Sequence, residues 1–597
     1  MATTTHRPRE ALSRLVPAID SLRHYRAADL RADVLAGVTV AAVAVPQAMA
    51  YAMVAGLPVE YGLYTAIVMT AIGALFDSSR QLINGPTNAI SIAVLSVIAP
   101  VEPEYKVEAA ILLAFMVGAV QLGITLLRLG DLTHYISHSV IVGFTLGAGT
   151  LLVLDQLKNL LGMKSVGGVH DHFLVRFLGS LTEGGGIRPE TAAIGLFTIA
   201  AVLGLRWLKA RLDVRLLPDL LLVVIGMASL VAWLGLDARG VVVVGEIPAR
   251  LPAFAAPVLD EARMRDLATG AFAIAVLGLL EAIAMAKAIA AQTQQKLDMN
   301  QQCLSEGLAN LGGSFFHCFP GSGSLTRSAI NQQAGASTQW SGVVSALAVA
   351  LIMLVFAPFA RYIPRAALAG ILMVSAWKMV DWHALAYHFR TTRFDATIVA
   401  VTAFSAVTIS IEFCVLIGVF LSFLLTVPRA GQMLLAEFVI APDGGVHERL
   451  PDDVPCERIL IFGLEGEMFF GASAALERHF AEIEGRVREK TEVIVLRVKR
   501  ARNPDAVGMT LLERLIDRLK ARGLHVLLCG VREEFAAKLE RTGLAGRLGE
   551  KLFLEQPVRQ TSTLLAIQHA YDLISQPCPH CPRRDAATRA QALSYEI

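Results

Sequence analysis

An arginine lies beside a glycine-rich break in an otherwise apolar part of the chain. Residues 320–331 read PGSGSLTRSAIN, which places Arg327 just after Gly321-Ser322-Gly323. A charged side chain at membrane depth is costly and usually serves a function. Residues 85–88, with the sequence GPTN, form a second break earlier in the chain. Together the two breaks predict a site that holds an anion.

Each break is followed by a short helix-forming segment, and one such segment lies in each half of the apolar region. Short segments interrupted by Gly or Pro at matching places of two halves indicate the binding site of a transporter. Each segment would present a helix N-terminus, whose free N–H groups and partial positive charge favour an anion. The alternative is that Gly and Pro only kink ordinary packed helices. For the pair of segments we favour the site.

The composition places these segments in a membrane. The chain has 597 residues, of which 54% are hydrophobic and only 17% charged, whereas a soluble domain has about 25% charged residues. The apolar runs lack the alternation of strands, and lipid requires every backbone group to be satisfied, so they predict helices. We expect spans near 35–55, 61–76, 86–99, 107–128, 139–155, 191–208, 217–236, 270–291, 304–316, 325–335, 342–359, 364–380, 396–410 and 412–427.

The region before the first span, residues 1–33, is rich in arginine. By the positive-inside rule this end is cytoplasmic. No apolar run of signal-peptide type comes before residue 34. A membrane domain over 34–428 and an even number of spans place the rest of the chain on the same side. The seven cysteines are scattered, so no disulfide framework is implied. Compact loops and the absence of a targeting peptide suit a multi-pass protein of a bacterial inner membrane.

After residue 428 charges become frequent and apolar strands alternate with helices, which predicts a small cytoplasmic α/β domain over 440–575. The expected strands are 458–466, 492–498 and 525–530. Residues 576–597 are expected to be a disordered tail. Cys578, His580 and Cys581 resemble half of a zinc site, but no second pair of ligands lies nearby. We therefore predict no metal and no cofactor.

Glu281 is a second charge within an apolar span, and Lys287 follows six residues later. An intramembrane carboxylate is a proton or cation site or half of an ion pair. The sequence leaves both roles open, because a pair between Glu281 and Arg327 would fix the core and could also link proton and anion occupancy.

Several long motifs resemble the sulfate permease (SulP) family of anion transporters. They are DVLAGVTVAAVAVPQAMAYAMVAGLPVEYGLYTAIV (33–68), SRQLINGPTNAISI (79–92), LGLLEAIAMAKAIA (277–290) and GLANLGGSFFHCFPGSGSLTRSAINQQAGASTQWSG (307–342). The soluble region is similar to the STAS domain that follows the membrane part in this family. The resemblance implies an all-α domain of fourteen spans in two inverted repeats of seven, with core and gate domains, elevator-like movement and a homodimer.

The resemblance also implies a substrate site formed by the first span and the facing N-termini of the third and tenth. The matching positions are Gln47, Tyr51, Thr87, Asn88, Ser324, Thr326, Arg327 and Ser328. In family members that co-transport protons or sodium, an acidic residue of the eighth span is implicated, which assigns ion coupling to Glu281. Five of these positions have a structural alternative: helix–helix bonding for Gln47, packing for Tyr51, helix capping for Thr87 and Ser328, and a structural counter-charge for Arg327.

The expected activity is secondary active transport of a small anion, with protons favoured over sodium as the coupling ion. Sulfate is the family default, and bicarbonate and C4-dicarboxylates are close rivals. Sodium-coupled bicarbonate symport, anion exchange, an anion channel and an anion sensor that signals through the STAS domain remain alternatives. A phosphoswitch is doubtful because residues 505–508 (DAVG) carry no hydroxyl where related soluble regulators have one. A cytosolic protein partner of the STAS domain remains open, whereas no motif supports catalysis or nucleic-acid binding.

Overall fold

The structure is a computed structural model that describes residues 16–23, 25–128, 137–164, 166, 173–212, 218–440, 445–556, 561–576 and 594–595. It divides into two compact units, Met1–Ser422 and Phe423–Ile597. The first unit is almost entirely helical, and the second contains a large β-sheet. This arrangement confirms the predicted order of a helical membrane domain followed by an α/β domain.

The helices that begin in the first unit are numbered in chain order. They are α1 Pro17–Leu22, α2 Ala27–Val54, α3 Val59–Phe76, α4 Asn88–Ile98, α5 Lys106–Leu126, α6 His138–Leu161, α7 Phe173–Glu183, α8 Pro189–Leu212, α9 Asp219–Leu234, α10 Glu261–Thr293, α11 Met299–Ser314, α12 Leu325–Gln333, α13 Trp340–Ala360, α14 Arg365–Met379, α15 Trp382–Thr391, α16 Arg393–Thr408 and α17 Ile411–Ala430. Each of the predicted spans overlaps one of these helices.

Eight helices in the described part of the chain are long and apolar enough to cross a membrane, judged by length and composition. The shorter α4 and α9 are also apolar. The number of fourteen spans therefore stays a prediction. The segment between the predicted spans at 139–155 and 191–208 contains α7, and α15 separates the predicted spans at 364–380 and 396–410. Between α9 and α10, Val243 makes an isolated antiparallel bridge with Pro364.

The helices pack in two groups. In one group α11 packs against α3 and α5, α13 against α2 and α3, and α10 against α4 and α5. In the other group α6 packs against α14 and α16, and α8 against α14. Contacts of α2 with α9 and α14 join the groups. This grouping is compatible with the core and gate domains that the family resemblance implies, whereas the elevator movement remains an expectation.

The two glycine-containing breaks meet in a short antiparallel pair of strands, β1 (Asn84–Gly85) and β2 (Ser322–Gly323). Asn84 pairs with Gly323, and Gly85 pairs with Ser322. Interrupted helices leave backbone groups that need partners inside a membrane protein, and here each break supplies them to the other. Because β1 precedes α4 and β2 precedes α12, the pairing brings the starts of these helices together.

The second unit contains a seven-stranded sheet in the order β8-β7-β6-β5-β3-β4-β9. Neighbouring strands from β5 to β8 are parallel, and β3 is antiparallel to β4 and β5. The elements are β3 Leu434–Ile440, β4 Gly445–Glu448, β5 Ile459–Glu467, α18 Ser473–Arg486, β6 Val493–Arg502, α19 Ala506–Ala521, β7 His525–Val531, α20 Glu533–Arg541, α21 Leu544–Leu548, β8 Leu552–Leu554, α22 Thr561–Leu573 and β9 Ser594–Tyr595.

The three predicted strands of this domain are β5, β6 and β7, and apolar clusters cover the sheet on both faces. The sheet begins with β3, ahead of the boundary expected at residue 440. The tail expected to be disordered contributes β9, which pairs with β4, while Cys578, His580 and Cys581 lie outside the described residues. Asp505 of the DAVG loop caps α19, since its Oδ1 accepts a bond from Gly508 N at 2.8 Å.

Candidate anion-binding site

Arg327 lies in the first turn of α12 and is 1% exposed. Its Nη2 donates a hydrogen bond to the carbonyl oxygen of Pro86 at 2.9 Å, so the guanidinium joins the starts of α12 and α4. Its Nε has no protein acceptor. A guanidinium has five N–H donors in a planar fork that suits oxyanions. The arrangement leaves donor capacity for an anion between the two helix N-termini.

Glycine at position 85 allows the guanidinium of Arg327 to lie against the backbone before α4. Its φ of +143° is strained for residues with a side chain, and an added Cβ would lie 2.9 Å from Nη1 of Arg327. Behind β2, Nδ2 of Asn310 donates to Gly321 O at 3.1 Å, and Gly321 N donates to Asn310 Oδ1 at 3.0 Å. Ser322 Oγ donates to the carbonyl of Gly278 on α10 at 2.7 Å. The strands that carry the site are therefore fixed to α10 and α11.

Thr87 and Asn88 begin α4. The hydroxyl of Thr87 caps this helix by accepting a bond from Ile90 N at 3.4 Å, and it donates to Oε2 of Glu281 at 3.0 Å. Capping was the structural alternative for Thr87, and here it is combined with a bond to the predicted coupling residue. Asn88 is buried, and its Oδ1 has no protein partner. The start of α4 therefore holds a carboxylate and an unpaired amide oxygen.

Glu281 and Arg327 do not form the ion pair considered as an alternative. No oxygen of Glu281 lies within 4.0 Å of the Arg327 guanidinium among the described ion pairs, although the two charges interact electrostatically. Instead each contacts a different residue at the entry to α4: Arg327 binds Pro86 and Glu281 binds Thr87. One positive and one negative side chain thus flank the same helix N-terminus.

Gln47 and Tyr51 lie one turn apart on α2, after the proline at position 46, and therefore share a helix face. Both are buried, and Tyr51 lies within electrostatic range of Arg327 and Glu281. Oε1 of Gln47 has no protein partner. The helix–helix bond considered for Gln47 is thus not made by this oxygen, and Tyr51 lies near the two charges.

The three predicted hydroxyl residues of α12 differ in their placement. Ser324 is the buried N-cap residue without a side-chain cap bond, and its N–H donates to Ile83 O at 2.9 Å. Ser328 is buried and its Oγ accepts from Ile83 N at 2.8 Å, which ties α12 to the residue before β1 rather than capping its own helix. Thr326 is exposed, so it does not share the buried environment of Arg327.

A buried polar network beside the site was not predicted from the sequence. Asp77, which ends α3, accepts bonds from Gln302 Nε2 at 2.6 Å and from Asn84 Nδ2 at 3.2 Å. Glu306 lies one turn after Gln302 on α11 and is fully buried. The signal that could have revealed Glu306 is its position inside the predicted span 304–316, where a charge is costly.

No group of three or more His, Cys, Asp and Glu side chains that could hold a metal ion occurs among the residues that the structure describes. The site is built from helix N-termini, one guanidinium, amides, hydroxyls and carboxylates. These groups can bind an anion and can exchange protons.

The family model of the sulfate permease family matches residues 30–402, and that of the STAS domain matches residues 453–556. The chain belongs to the sulfate permease family. This finding confirms the resemblance seen in the sequence motifs and places the first unit in a membrane. The membership also identifies the second unit, whose β5 to β8 lie within the matched STAS region, as a STAS domain.

Curated relatives resemble nearly the whole chain. The "Putative sulfate transporter YvdB" of Bacillus subtilis is 29% identical over 541 residues, covering 89% of this chain and 97% of the relative. "Sulfate transporter 4.1, chloroplastic" of Arabidopsis thaliana is 29% identical, with 90% and 81% covered. The "Sodium-independent sulfate anion transporter" of Bos taurus is 30% identical, with 73% and 77% covered. These similarities support an anion transporter.

Solved structures resemble the fold. The murine Slc26a9 anion transporter in its inward-facing state has a TM-score of 0.86 at 19% identity, and 96% of each chain is covered. The transmembrane domain of the cyanobacterial bicarbonate transporter BicA has a TM-score of 0.57 at 25% identity, covering 67% of this chain and 98% of that domain. The helical unit followed by a STAS domain is therefore a known transporter fold.

Proposed function

We propose that this protein is a secondary active transporter that moves sulfate together with protons. The anion site lies between the N-termini of α4 and α12. The observation that carries the proposal is the buried guanidinium of Arg327, which joins these two helix starts and keeps an unpaired Nε. The names of the curated relatives favour sulfate among anions of similar chemistry.

The anion would be held by backbone N–H groups at the two helix starts, with Arg327 supplying the positive potential. Free N–H groups and the helix dipole both favour an oxyanion at such a place. Asn88 and Gln47 each have a buried carboxamide oxygen without a partner, and Nδ2 of Asn88 donates only to the sulfur of Met379, a weak acceptor. Reorientation of these amides would turn N–H donors toward a ligand. Tyr51 would form the wall of the site from α2.

Proton coupling follows from the position of Glu281. Its carboxylate is bonded to the hydroxyl of Thr87 at the positive end of α4, so its negative charge opposes that of a nearby sulfate. A proton on Glu281 removes that repulsion, and the dianion and the proton then bind together. Release of the anion on the other side would favour release of the proton, which is the requirement for symport.

The test is uptake of labelled sulfate, bicarbonate and succinate into proteoliposomes with and without an inward proton gradient. We expect sulfate uptake that the gradient accelerates. Arg327→Ala should abolish uptake, and Arg390→Ala, which removes an exposed arginine of α15, serves as the matched control. Normal sulfate uptake by folded Arg327→Ala protein would contradict the site.

Glu281→Gln tests coupling separately. The glutamine keeps the shape and a partner for Thr87 but cannot exchange a proton, so we expect loss of the acceleration by the proton gradient. Glu104→Gln, at an exposed position before α5, is the control. An unchanged response of Glu281→Gln would remove the coupling role and leave the anion site intact.

Sodium-coupled bicarbonate symport is the second candidate. Its substrate, bicarbonate, is favoured by the similarity to the transmembrane domain of the bicarbonate transporter BicA. In the same assay this function predicts uptake of bicarbonate that requires sodium and ignores the proton gradient. Anion exchange predicts dependence on an anion inside the vesicles, and a channel predicts large currents. A sensor predicts that removal of the STAS domain leaves transport intact but abolishes a cellular response.

The proposed setting is a homodimer in a bacterial inner membrane, surrounded by lipid and with both termini cytoplasmic. In this setting the STAS domain is available to a cytosolic protein partner. Accessibility of cysteines introduced near each terminus to a membrane-impermeant thiol reagent tests the orientation. Labelling of both ends from the cytoplasmic side alone is the expected result.

A further inference from the structure

A pair of carboxylates is buried beside the anion site, and the proposed function does not use it. Asp77 ends α3, and Glu306 lies on α11; both side chains are fully buried. Gln302 precedes Glu306 by one helical turn and donates its Nε2 to Asp77 Oδ1 at 2.6 Å. The face of α11 that carries Gln302 and Glu306 is therefore directed toward Asp77, and the two carboxylates interact electrostatically.

The donors in this cluster are unequally shared. Asp77 accepts bonds from Gln302 and from Asn84, which stabilise its ionised form. Neither oxygen of Glu306 has a hydrogen-bond partner. Two further buried oxygens, Oδ1 of Asn84 and Oγ of Ser79, are also without partners. The unpaired atoms are thus all oxygens, and those of Glu306 and Asn84 lack a donor or a cation.

No basic side chain compensates the two acids. Among the described residues, no ion pair joins Asp77 or Glu306 to Lys, Arg or His. The titratable groups that face Glu306 are Asp77 from α3 and Glu281 from α10, both acidic. The helix α5 also packs on α11, but it contributes the uncharged Gln121, bonded to Asn310. Two carboxylates that share a buried site cannot both ionise without a cation.

We propose that Asp77 and Glu306 form a proton-binding site in which Glu306 carries the proton and Asp77 is the ionised partner. The division follows from the bonds: Asp77 has two donors, whereas Glu306 has none and bears the cost of an unpaired buried charge. This site is distinct from Glu281, which has its own donor in Thr87. The proton reaches a carboxylate oxygen of Glu306 and leaves as a free proton, so no other reactant is needed.

Asn84 connects this proton site to the anion site. Its side chain donates to Asp77, while its backbone belongs to β1, and Thr70 Oγ1 fixes its carbonyl at 2.5 Å. The next residue in β1, Gly85, packs against Arg327, and the following Pro86 accepts the bond from Nη2. Loss of the proton adds a negative charge on one side of β1, so we expect weaker anion binding on the other side.

The direct test is infrared spectroscopy of the purified full-length protein at neutral pH. A protonated carboxyl group has a C=O stretching band that carboxylates lack. We expect such a band in the wild-type protein, its loss in Glu306→Gln and its retention in Glu281→Gln. Because no transport is measured, the result is independent of the proposed function. Identical wild-type and Glu306→Gln spectra would overturn the proposal.

A second variant and a change of cation complete the test. If Glu306→Gln does not fold, Glu306→Asp retains a carboxyl group in a changed environment, and we expect its band to move rather than vanish; a band that stays in place contradicts the assignment. Sodium is the other cation that oxygens could take. Loss of the wild-type band on addition of sodium in place of potassium would show a sodium site and overturn the proton site.

The functional consequence is measured by sulfate affinity as a function of pH. We expect the wild-type protein to bind sulfate at least tenfold more weakly when Glu306 has lost its proton, since a tenfold change corresponds to a modest electrostatic coupling. The comparison is made in the Glu281→Gln background, where residue 281 no longer titrates. There Glu306→Gln should keep the tight affinity over the part of the pH range in which Glu306 titrates. An affinity that falls with pH equally with and without Glu306→Gln in this background would contradict the link through β1.

Discussion

Gly85→Ala is the substitution that most directly tests the contact between the two helix starts. The added Cβ would lie 2.9 Å from Nη1 and 3.1 Å from Nη2 of Arg327. Such distances are shorter than a van der Waals contact, so the guanidinium has to move. Moving it breaks the 2.9 Å bond from Nη2 to the carbonyl of Pro86. The substitution thus perturbs Arg327 without changing any charge.

The expected free-energy cost of Gly85→Ala has two parts. The φ of +143° at residue 85 is costly for alanine, by about 1–3 kcal/mol. Loss of the hydrogen bond from a charged donor adds about 1.5–3 kcal/mol. Gly335→Ala is the control for the backbone strain alone, because Gly335 also has a positive φ, of +91°, and no atom lies within 4 Å of an added Cβ. The difference between the two variants therefore isolates the contact with Arg327.

The assay is equilibrium binding of sulfate to purified protein, with thermal unfolding as the measure of folding. If Arg327 must stay in place to bind the anion, the energy of the lost hydrogen bond appears as weaker sulfate binding. We therefore expect the sulfate affinity of Gly85→Ala to be roughly 10- to 100-fold weaker than that of Gly335→Ala. Sulfate affinities of the two variants within twofold of each other, with both proteins folded, would refute the role of this contact.

Two further predictions concern the STAS domain of the full-length protein. Asp505→Ala removes acceptors for both Gly508 N and Phe470 N, so we expect the free energy of unfolding of the domain to fall by about 2–4 kcal/mol, measured by hydrogen exchange of β6, whereas the exposed Asp452→Ala should have little effect. Burial raises the pKa of the Cys529 thiol to about 12, so in the native protein this thiol stays protonated and should resist maleimide at mildly alkaline pH; rapid labelling before unfolding would contradict this.

The helices of the membrane unit could be predicted because their sequences are uniformly apolar and because Gly and Pro interrupt them. The run expected at 107–128 is α5, at Lys106–Leu126, and that expected at 342–359 is α13, at Trp340–Ala360. The predicted helix boundaries are wrong where a polar stretch continues a helix. For example, α10 begins at Glu261, well before the apolar run expected from 270. Hydrophobicity marks the part of a helix that lipid requires, and the helix itself extends further.

The candidate site could be predicted in its parts but not in its connections. The sequence identifies Arg327, Glu281 and Thr87 as polar groups in apolar surroundings. It does not show that Glu281 bonds to Thr87, that Arg327 bonds to Pro86, or that Ser328 bonds to the residue before β1. These contacts join residues far apart in the chain, and a hydrophobic pattern carries no information on which polar side chains meet. Thr326 shows the same limit, because it shares a motif with Arg327 but is exposed.

The pairing of β1 with β2 explains why charges collect at this place. Each strand is only two residues long, and such a short pair is held mainly by what surrounds it. Side chains of Asn310, Ser322 and Ser328 bond to its backbone or its neighbours, and the guanidinium of Arg327 binds the carbonyl that follows β1. An unwound backbone inside a membrane protein requires polar partners, and those partners are also what binds ions. The same backbone requirement therefore brings Arg327 to one side of β1 and Asp77, through Asn84, to the other. In the mechanism we propose, a proton bound on one side of β1 and an anion bound on the other are coupled through this strand, with no further element between them.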